Sequence, residues 1–285
     1  MIGRILSGNG KTYTIYSEGN TYIASLKGIF KKQNVFICVG DYVSFSPTEL
    51  VIEEIKERKS LLKRPRIANI DQILILHSLI EPDFSLELVL KYLTYMNMND
   101  IKASLVITKV DKYNDLDKIN HIKDMFSHLG IKTYFISNKS KDGINELIAD
   151  LKYQTIALVG QSGVGKSSLL NNIDPNYQRD IGSYSVNRGR GKHQTTEIIL
   201  LPFNDGYLAD TPGFSDIELN LTKEEAAKFY PGCYKHSHNC FYSNCLHQKE
   251  KNCEVKKLVD IGEVDLDIYN EYIKFINNLD YTRRF

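Results

Sequence analysis

The sequence predicts a multidomain α/β protein: an OB-type β-barrel, then a larger α/β domain, then a small helical domain rich in cysteine. Three patterns support this prediction. Short strand-like segments separated by turn residues fill residues 1–55, strands and helices alternate from residue 69, and four cysteines crowd into 21 residues near the C-terminus. We place the domains at residues 1–66, 67–222 and 223–285.

The composition is that of a globular protein. Hydrophobic residues make up 42% and charged residues 25% of the 285 residues, which excludes a disordered or collagen-like chain. The longest apolar run, residues 73–80, is interrupted by His77 and Ser78 and is shorter than the about 20 residues that a membrane helix needs. The N-terminus lacks the apolar stretch of a secretory signal. We therefore expect a cytoplasmic protein that does not bind membranes.

The first domain is predicted from residues that favour strands. Five segments are rich in β-branched and aromatic residues: Gly3–Leu6, Thr12–Tyr16, Thr21–Leu26, Asp41–Phe45 and Leu50–Ile55. Glycine and asparagine separate the first three of them as turns. Five short strands in so few residues are typical of a small barrel, and the OB-fold is the natural candidate.

The N-terminal part of the chain is basic. Residues 1–68 hold 11 lysines and arginines against 6 acidic residues, although the net charge of the whole chain is only +1. The excess is densest in residues 56–66, KERKSLLKRPR. This stretch has two interpretations: a solvated linker near a boundary marked by Pro65, or a surface that contacts nucleic-acid phosphates. An anionic partner is expected to meet the protein in this region.

The second domain is predicted from alternating strands and helices. Apolar strand candidates lie at Gln72–His77, Ala103–Thr108, Thr133–Ser137, Thr155–Val159, Glu197–Leu201 and Tyr207–Ala209. Helical patterns lie between several of them, near residues 86–97, 115–129, 143–152 and 166–172. Such alternation predicts an α/β domain with a mostly parallel sheet.

A glycine-rich loop matches the phosphate-binding pattern G-x-x-x-x-G-K-[ST] in full. Its residues are Gly160, Gln161, Ser162, Gly163, Val164, Gly165, Lys166 and Ser167, and Ser168 follows them. The loop comes after the apolar strand TIALV and before the helical stretch SSLLNN, which is the context that the motif requires. Lys166 is expected to neutralise β- and γ-phosphate oxygens, and Ser167 to ligate Mg²⁺. The sequence therefore predicts nucleotide binding, with Ser168 in the binding set.

Two further motifs point to the base. Thr108, Lys109, Val110 and Asp111 follow the strand ASLVI and resemble the N/T-K-x-D motif of GTPases. The Asp111 carboxylate can accept hydrogen bonds from guanine N1–H and the N2 amino group, which adenine lacks. Thr108 replaces the commoner asparagine, so we expect it to brace the phosphate loop less well. Ser137 begins a Ser-Asn-Lys stretch that resembles the S-A-K motif, in which a backbone N–H contacts guanine O6.

A fourth motif and the order of all four complete the nucleotide prediction. Asp210 and Gly213 form a D-x-x-G motif, in which the aspartate holds Mg²⁺ through water and the glycine N–H senses the γ-phosphate. In an ordinary small GTPase the base motifs come last, whereas here they come first. This order indicates a circular permutation, which folds tolerate. The D-x-x-G segment then leads directly into the C-terminal domain.

The polar stretch between the phosphate loop and D-x-x-G is predicted to be mobile, because it has no helical period. Thr195 or Thr196 is the candidate threonine for Mg²⁺ and the γ-phosphate. Many GTPases place a water-orienting glutamine after the glycine of D-x-x-G, but Phe214 stands there. The nearest replacement is His193, whose alternative interpretation is a solvated loop histidine.

The cysteine-rich segment has the residues of a structural zinc site. Cys240, Cys245, His247 and Cys253 supply three sulfurs and one imidazole in 14 residues. Cys233, His236 and His238 could substitute as ligands, although we prefer to interpret them as ordinary loop residues. Cys38 stands apart and is expected to be a small buried hydrophobic residue.

Together these motifs resemble one family, the circularly permuted GTPases that depend on the small ribosomal subunit, known as RsgA or YjeQ. The matching segments are VGDYVSF, LKRPRIANIDQIL, TKVD, GQSGVGKSSLLN, GRGKH, DTPGF and the cysteine cluster. The resemblance implies an OB barrel, a permuted G domain and a zinc domain. By the same resemblance His193 matches the proposed catalytic histidine. Gln194 stands where a threonine is usual, and the offset from His193 favours Thr195 over Thr196.

The resulting hypothesis is a GTPase that binds the 30S subunit and 16S rRNA, assists late maturation of that subunit, and hydrolyses GTP faster on it. The expected catalytic residues are His193, Lys166 and Thr195. The expected cofactors are GTP or GDP, Mg²⁺ held by Ser167 and Thr195, and one structural zinc ion, in a monomer. One alternative is an rRNA-binding module whose nucleotide only sets its conformation, as Phe214 suggests. The other alternative is an ATPase.

Overall fold

The computed structural model describes residues 1–27, 36–173, 198–210 and 217–279. The chain divides into two compact units. One unit comprises Met1–Leu74, Ile144–Val159 and Lys166–Phe214, and the other comprises Ile75–Gly143, Gly160–Gly165 and Ser215–Phe285.

The N-terminal strands form a closed barrel. They are β1 (Ile2–Gly8), β2 (Thr12–Ser17), β3 (Asn20–Leu26), β4 (Tyr42–Ser46) and β5 (Val51–Ile55), in the order β1-β2-β3-β5-β4. Strand β3 pairs parallel with β5, and β1 pairs antiparallel with β4 to close the barrel. The alternate residues that point inward include Ile5, Ile15, Val43, Phe45 and Ile52, all fully buried. The predicted OB-type barrel is confirmed.

The basic stretch after the barrel is not a plain linker. It forms a hairpin of β6 (Leu61–Lys63) and β7 (Arg66–Ala68), which pair antiparallel. Leu62 and Ile67 face each other across this hairpin and are fully buried. The linker interpretation was therefore wrong for residues 61–66, because two apolar residues hidden among the charges give the segment a buried face.

In the part of the α/β region that the structure describes, six strands form a sheet in the order β10-β9-β8-β11-β13-β12. Their bounds are β8 (Gln72–Ser78), β9 (Lys102–Thr108), β10 (Thr133–Phe135), β11 (Thr155–Val159), β12 (Ile199–Phe203) and β13 (Gly206–Asp210). Among the described residues, four helices accompany them: α1 (Leu86–Met98), α2 (Leu116–His128), α3 (Ile144–Asp150) and α4 (Lys166–Ile173). Strands β9 and β10 are parallel, as are β11 and β13, whereas β12 is antiparallel to β13. Two of these three pairings are parallel, and the predicted α/β domain is confirmed.

The C-terminal segment is helical, as predicted. Its helices are α5 (Lys223–Phe229), α6 (Glu254–Asp260) and α7 (Leu266–Asn278). Thr222 and Glu225 form a reciprocal capping box at the start of α5, which satisfies backbone N–H groups that the first helical turn leaves free. Within the described ranges, every helix is too short or too polar to cross a membrane.

Candidate nucleotide and metal sites

The phosphate loop joins β11 to α4 and depends on glycine at two close approaches. A Cβ atom on Gly160 would lie 2.3 Å from the Leu76 carbonyl oxygen. Gly165 has a φ of +97°, and a Cβ there would lie 2.8 Å from Asn138 Nδ2. Side chains are therefore excluded where the backbone must curl around a ligand. The Val164 side chain is fully buried and holds the loop against the protein core.

The polar residues of this loop have the exposure that a ligand site needs. Ser162, Ser167 and Ser168 are exposed or partly so, whereas Leu169 and Leu170 on the next turn of α4 are buried. Lys166 is the first residue of α4, and its partial burial lowers the pKa of its ammonium group. A phosphate beside Lys166 would favour the charged form again, because an opposite charge offsets desolvation. The loop thus carries a cation and hydroxyls at a helix start, which suits phosphate binding.

The Asp111 carboxylate is held in place by a predicted site residue. Asp111 lies in a single 3₁₀ turn, Val110–Lys112, directly after β9. The buried Ser137 hydroxyl donates to Asp111 Oδ1 over 2.6 Å, and this bond lowers the pKa of Asp111. The same hydroxyl oxygen accepts from the backbone N–H groups of Lys139 and Ser140. Asp111 is therefore ionised, oriented and exposed, as an acceptor for the guanine edge must be.

The base segment is braced against the phosphate loop in two places. The Thr108 hydroxyl, fully buried, donates to the Val164 carbonyl oxygen over 2.6 Å. Asn138 Nδ2 donates to the Gly165 carbonyl oxygen over 3.2 Å. The hydroxyl of Thr108 thus makes a short bond from a buried position, where such bonds are strong, and the expectation that it braces the loop less well than an asparagine stays a prediction.

Sequence reasoning missed the loop after β8. The Lys109 ammonium group donates to the Glu81 carbonyl oxygen, and the Glu81 carboxylate pairs with Lys112 over 3.4 Å. Pro82 Cδ lies 3.8 Å from the position that a Cβ on Gly163 would take, so this loop contacts the base segment and lies near the phosphate loop. No motif marks it. Its position was still a usable signal, because ligands bind at the carboxyl ends of parallel strands.

Of the residues predicted to act in hydrolysis beside Lys166 and Ser167, only Asp210 lies within the described residues. Asp210 is the last residue of β13. His193, Thr195 and Gly213, together with the alternatives Gln194, Thr196 and Phe214, lie outside the described residues. Their assignments to water and Mg²⁺ remain predictions.

The four predicted zinc ligands converge. The donor atoms of Cys240, Cys245, His247 and Cys253 all lie within 4.8 Å of one another. Cys240 Sγ and Cys253 Sγ are 4.0 Å apart, and His247 Nδ1 lies 3.5 Å and 3.4 Å from them. A tetrahedral zinc ion with ordinary bond lengths would separate two sulfurs by about 3.8 Å and a sulfur from a nitrogen by about 3.5 Å. The donor set and its spacing fit zinc.

The surroundings of this cluster also suit a metal. His247 Nε2 lies 3.0 Å from the Ala227 carbonyl oxygen on α5, which leaves Nδ1 as the ligating nitrogen. Burial raises the pKa of the Cys245 thiol to about 12. A dication among the sulfurs would reverse that shift, because it stabilises thiolates. Cys233 is buried outside this group of four, and so is Cys38, as predicted.

The basic residues near the barrel differ in availability. Arg58 makes two bonds of 2.7 Å and 2.8 Å to the fully buried Asp41 carboxylate, so it is a structural residue. Arg66 stacks on the Phe36 ring, with its Cζ 5.0 Å from the centroid. Lys59 and Lys63 are exposed. Arg64 and Arg66 are exposed as well, so these four residues, unlike Arg58, are candidates for contacting phosphates.

Comparison with known families gives matches over nearly the whole chain. The model described as RsgA GTPase matches residues 55–220, and the model described as RsgA N-terminal domain matches residues 2–50. The chain is 37% identical to the small ribosomal subunit biogenesis GTPase RsgA of Shouchella clausii, covering 100% of this chain and 99% of that protein. It is 36% identical to the protein of that name in Bacillus subtilis, over 89% and 87% of the two chains.

Two solved structures are similar over nearly their full length. The chain matches YjeQ from Thermotoga maritima with a TM-score of 0.84 and 34% identity, covering 99% of each chain. It matches YloQ, described as a circularly permuted GTPase, with a TM-score of 0.80 and 32% identity, covering 100% of this chain and 96% of that one. The fold of this chain therefore matches that of a circularly permuted GTPase, which agrees with the permuted order of its motifs.

Proposed function

The chain belongs to the RsgA GTPase family, and from that premise we propose that it is a GTPase of small-subunit biogenesis. It binds the 30S subunit through 16S rRNA, assists late maturation, and hydrolyses GTP to GDP and phosphate faster when the subunit is bound. The observation that carries this proposal is the braced arrangement of Asp111, Ser137, Thr108 and the phosphate loop. It couples recognition of a guanine base to a phosphate-binding loop in one rigid set of hydrogen bonds.

In the nucleotide site, the loop from Gly160 to Ser168 holds the phosphates, with Lys166 as the cation. Ser167 and Thr195 would hold Mg²⁺, which supplies positive charge to the phosphate oxygens when bound. Asp210 would hold Mg²⁺ through water, and the Gly213 N–H would contact the γ-phosphate. Asp111 selects guanine, with Thr108, Lys109, Val110 and Ser137 completing the base side. The cysteine cluster holds one structural zinc ion.

For hydrolysis, His193 positions the attacking water, because Phe214 cannot replace the usual glutamine. The 30S subunit then accelerates the reaction by fixing the loop that carries His193, which raises the fraction of time the water is correctly held. We expect the wild-type protein to hydrolyse GTP slowly alone and faster with 30S subunits, in single-turnover assays. His193→Ala should bind GTP and 30S about normally but lose most of the stimulated rate.

The decisive experiment is co-sedimentation with 30S subunits in GDP and in a non-hydrolysable GTP analogue, followed by hydrolysis with and without 30S. Binding that depends on the nucleotide, with stimulated turnover, supports the proposal. Binding without any stimulation would favour an rRNA-binding module whose nucleotide only sets its conformation. Equal displacement of labelled GDP by ADP and by GDP would favour an ATPase.

The barrel and its basic hairpin are the proposed rRNA surface, and the salt dependence of binding tests that assignment. Removing one lysine–phosphate interaction should lower the log–log salt slope of 30S binding by about 0.7–0.9. Lys59→Glu with Lys63→Glu should therefore flatten the slope, whereas Lys123→Glu, at an exposed position of α2, should not. An unaltered slope would assign rRNA binding to another surface. We further propose that the protein is a cytoplasmic monomer that binds no membrane.

A further inference from the structure

Arg4 is a buried cation that joins the barrel to a strand of the α/β sheet. It lies on β1 and is 5% exposed. Its Cζ lies 5.0 Å from the ring centroid of Tyr42 on the barrel strand β4, and 4.4 Å from that of Tyr207 on β13. Its Nη2 donates to the Asn69 carbonyl oxygen over 3.1 Å. The guanidinium is therefore enclosed by groups from the barrel, the junction and the sheet.

This position is costly for an arginine. Arg4 Nε has no hydrogen-bond partner among the described residues, and burial lowers the pKa of the guanidinium. Stacking on two tyrosine faces offsets part of the desolvation cost. An apolar side chain of similar size would pack there without that cost. Packing alone therefore does not explain an arginine at this position. Its contacts with Tyr42, Tyr207 and the Asn69 carbonyl oxygen do.

Arg4 contacts the start of β13, which leads into the D-x-x-G motif, and β13 pairs there with the start of β11, which leads into the phosphate loop. Tyr207 pairs with Thr155 at the start of β11, and the Thr155 N–H donates to the Asp71 carboxylate over 2.7 Å. Strand β13 continues from Tyr207 to Asp210, a distance of about 10 Å at the usual rise per residue. Strand β11 ends at Val159, directly before Gly160. A displacement of the barrel at Arg4 would thus act on both strands at once.

We propose that Arg4 is a positioning residue that transmits binding of rRNA at the barrel to strand β13, so that stimulated GTP hydrolysis depends on its contact with Tyr207. This inference rests on the proposed function. A barrel held by rRNA fixes Arg4, Arg4 fixes Tyr207, and the strand holds Asp210 in position at its far end. Coupling between two sites typically changes the binding affinity at the second site by about 5- to 150-fold. The unstimulated reaction does not use this connection.

The test compares Arg4→Met with the wild type in basal and 30S-stimulated turnover. We expect basal kcat and the KM for GTP to stay unchanged, 30S binding to stay within about twofold, and stimulated kcat to fall about tenfold or more. Tyr207→Leu should reproduce that loss, whereas Tyr207→Phe should retain stimulation because it keeps the ring. The double variant Arg4→Met with Tyr207→Leu should lose no more than either single variant.

A second readout separates positioning from a general loss of stability. Amide hydrogen exchange of residues 206–210 should slow on binding 30S in the wild type, and should not slow in Arg4→Met. If Arg4→Met does not fold, the Tyr207→Leu and Tyr207→Phe pair decides the question. Stimulation that survives Arg4→Met or Tyr207→Leu overturns this inference alone. A wild-type protein that 30S does not stimulate overturns the proposed function, and this inference with it.

Discussion

The nucleotide loops and the cysteine cluster both gather side chains from separate segments, but they leave the ligand-binding atoms in opposite surroundings. Asp111 and Ser162 are exposed, and the bond that orients the Asp111 carboxylate comes from the buried Ser137 behind it. In the cluster, Cys245, His247 and Cys253 are buried, and only Cys240 is partly accessible. The first site is open on one side, and the second is closed around its centre.

This difference separates an exchangeable ligand from a resident one. A nucleotide must enter and leave in every cycle, so its site is prepared by hydrogen bonds such as the one from Thr108 to Val164 and stays open to solvent. A structural metal contributes to folding and stays bound in the folded protein. Its closed donor set would be a cluster of buried thiols, with Cys253 and Cys245 raised in pKa, if no cation were bound.

The largest effect should follow from opening the closed site. Cys245→Ser should release the zinc and unfold the C-terminal helices, because structural zinc contributes about 10 kcal/mol or more to folding. Metal analysis and circular dichroism would measure this loss. Cys233→Ala is the matched control, since Cys233 is also a buried cysteine but lies outside the four predicted ligands, and it should retain one zinc per chain. Full zinc in Cys245→Ser would reassign the fourth ligand to Cys233 or His238.

The open site should lose activity without losing its fold. Lys166→Ala should lower GTP turnover by about 10²–10³-fold, since it removes a charge that stabilises the transferring phosphoryl group. Thermal unfolding should change little, because Lys166 starts a helix and is only partly buried. Lys152→Ala, an exposed lysine after α3, is the control and should keep full turnover. Normal turnover in a folded Lys166→Ala protein would refute the assignment.

A smaller effect should appear in base selection. Asp111→Ala should lower the preference for GDP over ADP by about 10- to 100-fold, since the carboxylate provides the two acceptors that guanine needs. Competition of labelled GDP by both nucleotides measures that preference. Asp115→Ala removes a nearby carboxylate that caps α2 and should leave the preference intact. A preference that survives Asp111→Ala would move guanine recognition to the backbone.

The sequence was most informative where a residue type and its spacing define the chemistry. The phosphate loop and the cysteine cluster were found that way, because glycines and sulfur ligands have few other reasons for such spacing. The barrel strands were predicted from their β-branched and aromatic residues and from the turn residues between them, and the buried Ile5, Ile15 and Phe45 lie on three of those strands.

Features that no local motif marks were missed, and some of them depend on distant segments meeting in space. Leu62 and Ile67 were hidden among charges, so the hairpin looked like a linker. Glu81 meets Lys109 and Lys112 only because β8 and β9 end close together. Arg4 looked like an ordinary strand residue, since nothing local marks a side chain that will lie between two tyrosines.

The smallest expected effect tests how the open site is prepared. The Ser137 hydroxyl is the main cause of the lowered pKa of Asp111. Ser137→Ala should let that pKa rise towards its ordinary value. A carboxylate with a lowered pKa accepts hydrogen bonds above that pKa and loses this ability as the pH falls through it. GDP affinity should therefore change by only a few-fold at pH 7, about the effect of one hydrogen bond, but should fall at a higher pH on acidification than in the wild type.

Titrating labelled GDP from about pH 7 down to about pH 4, the range that brackets an ordinary aspartate, would measure this shift, with circular dichroism at each pH to confirm the fold. Ser140→Ala is the control, because the Ser140 hydroxyl donates to Asp142 and not to Asp111. If GDP affinity falls at the same pH in Ser137→Ala and in the wild type, the base site is oriented without this hydrogen bond. The orientation of the open site would then depend on the hydrogen bonds from the Thr108 and Asn138 side chains to the backbone of the phosphate loop, and not on a bond to the Asp111 carboxylate itself.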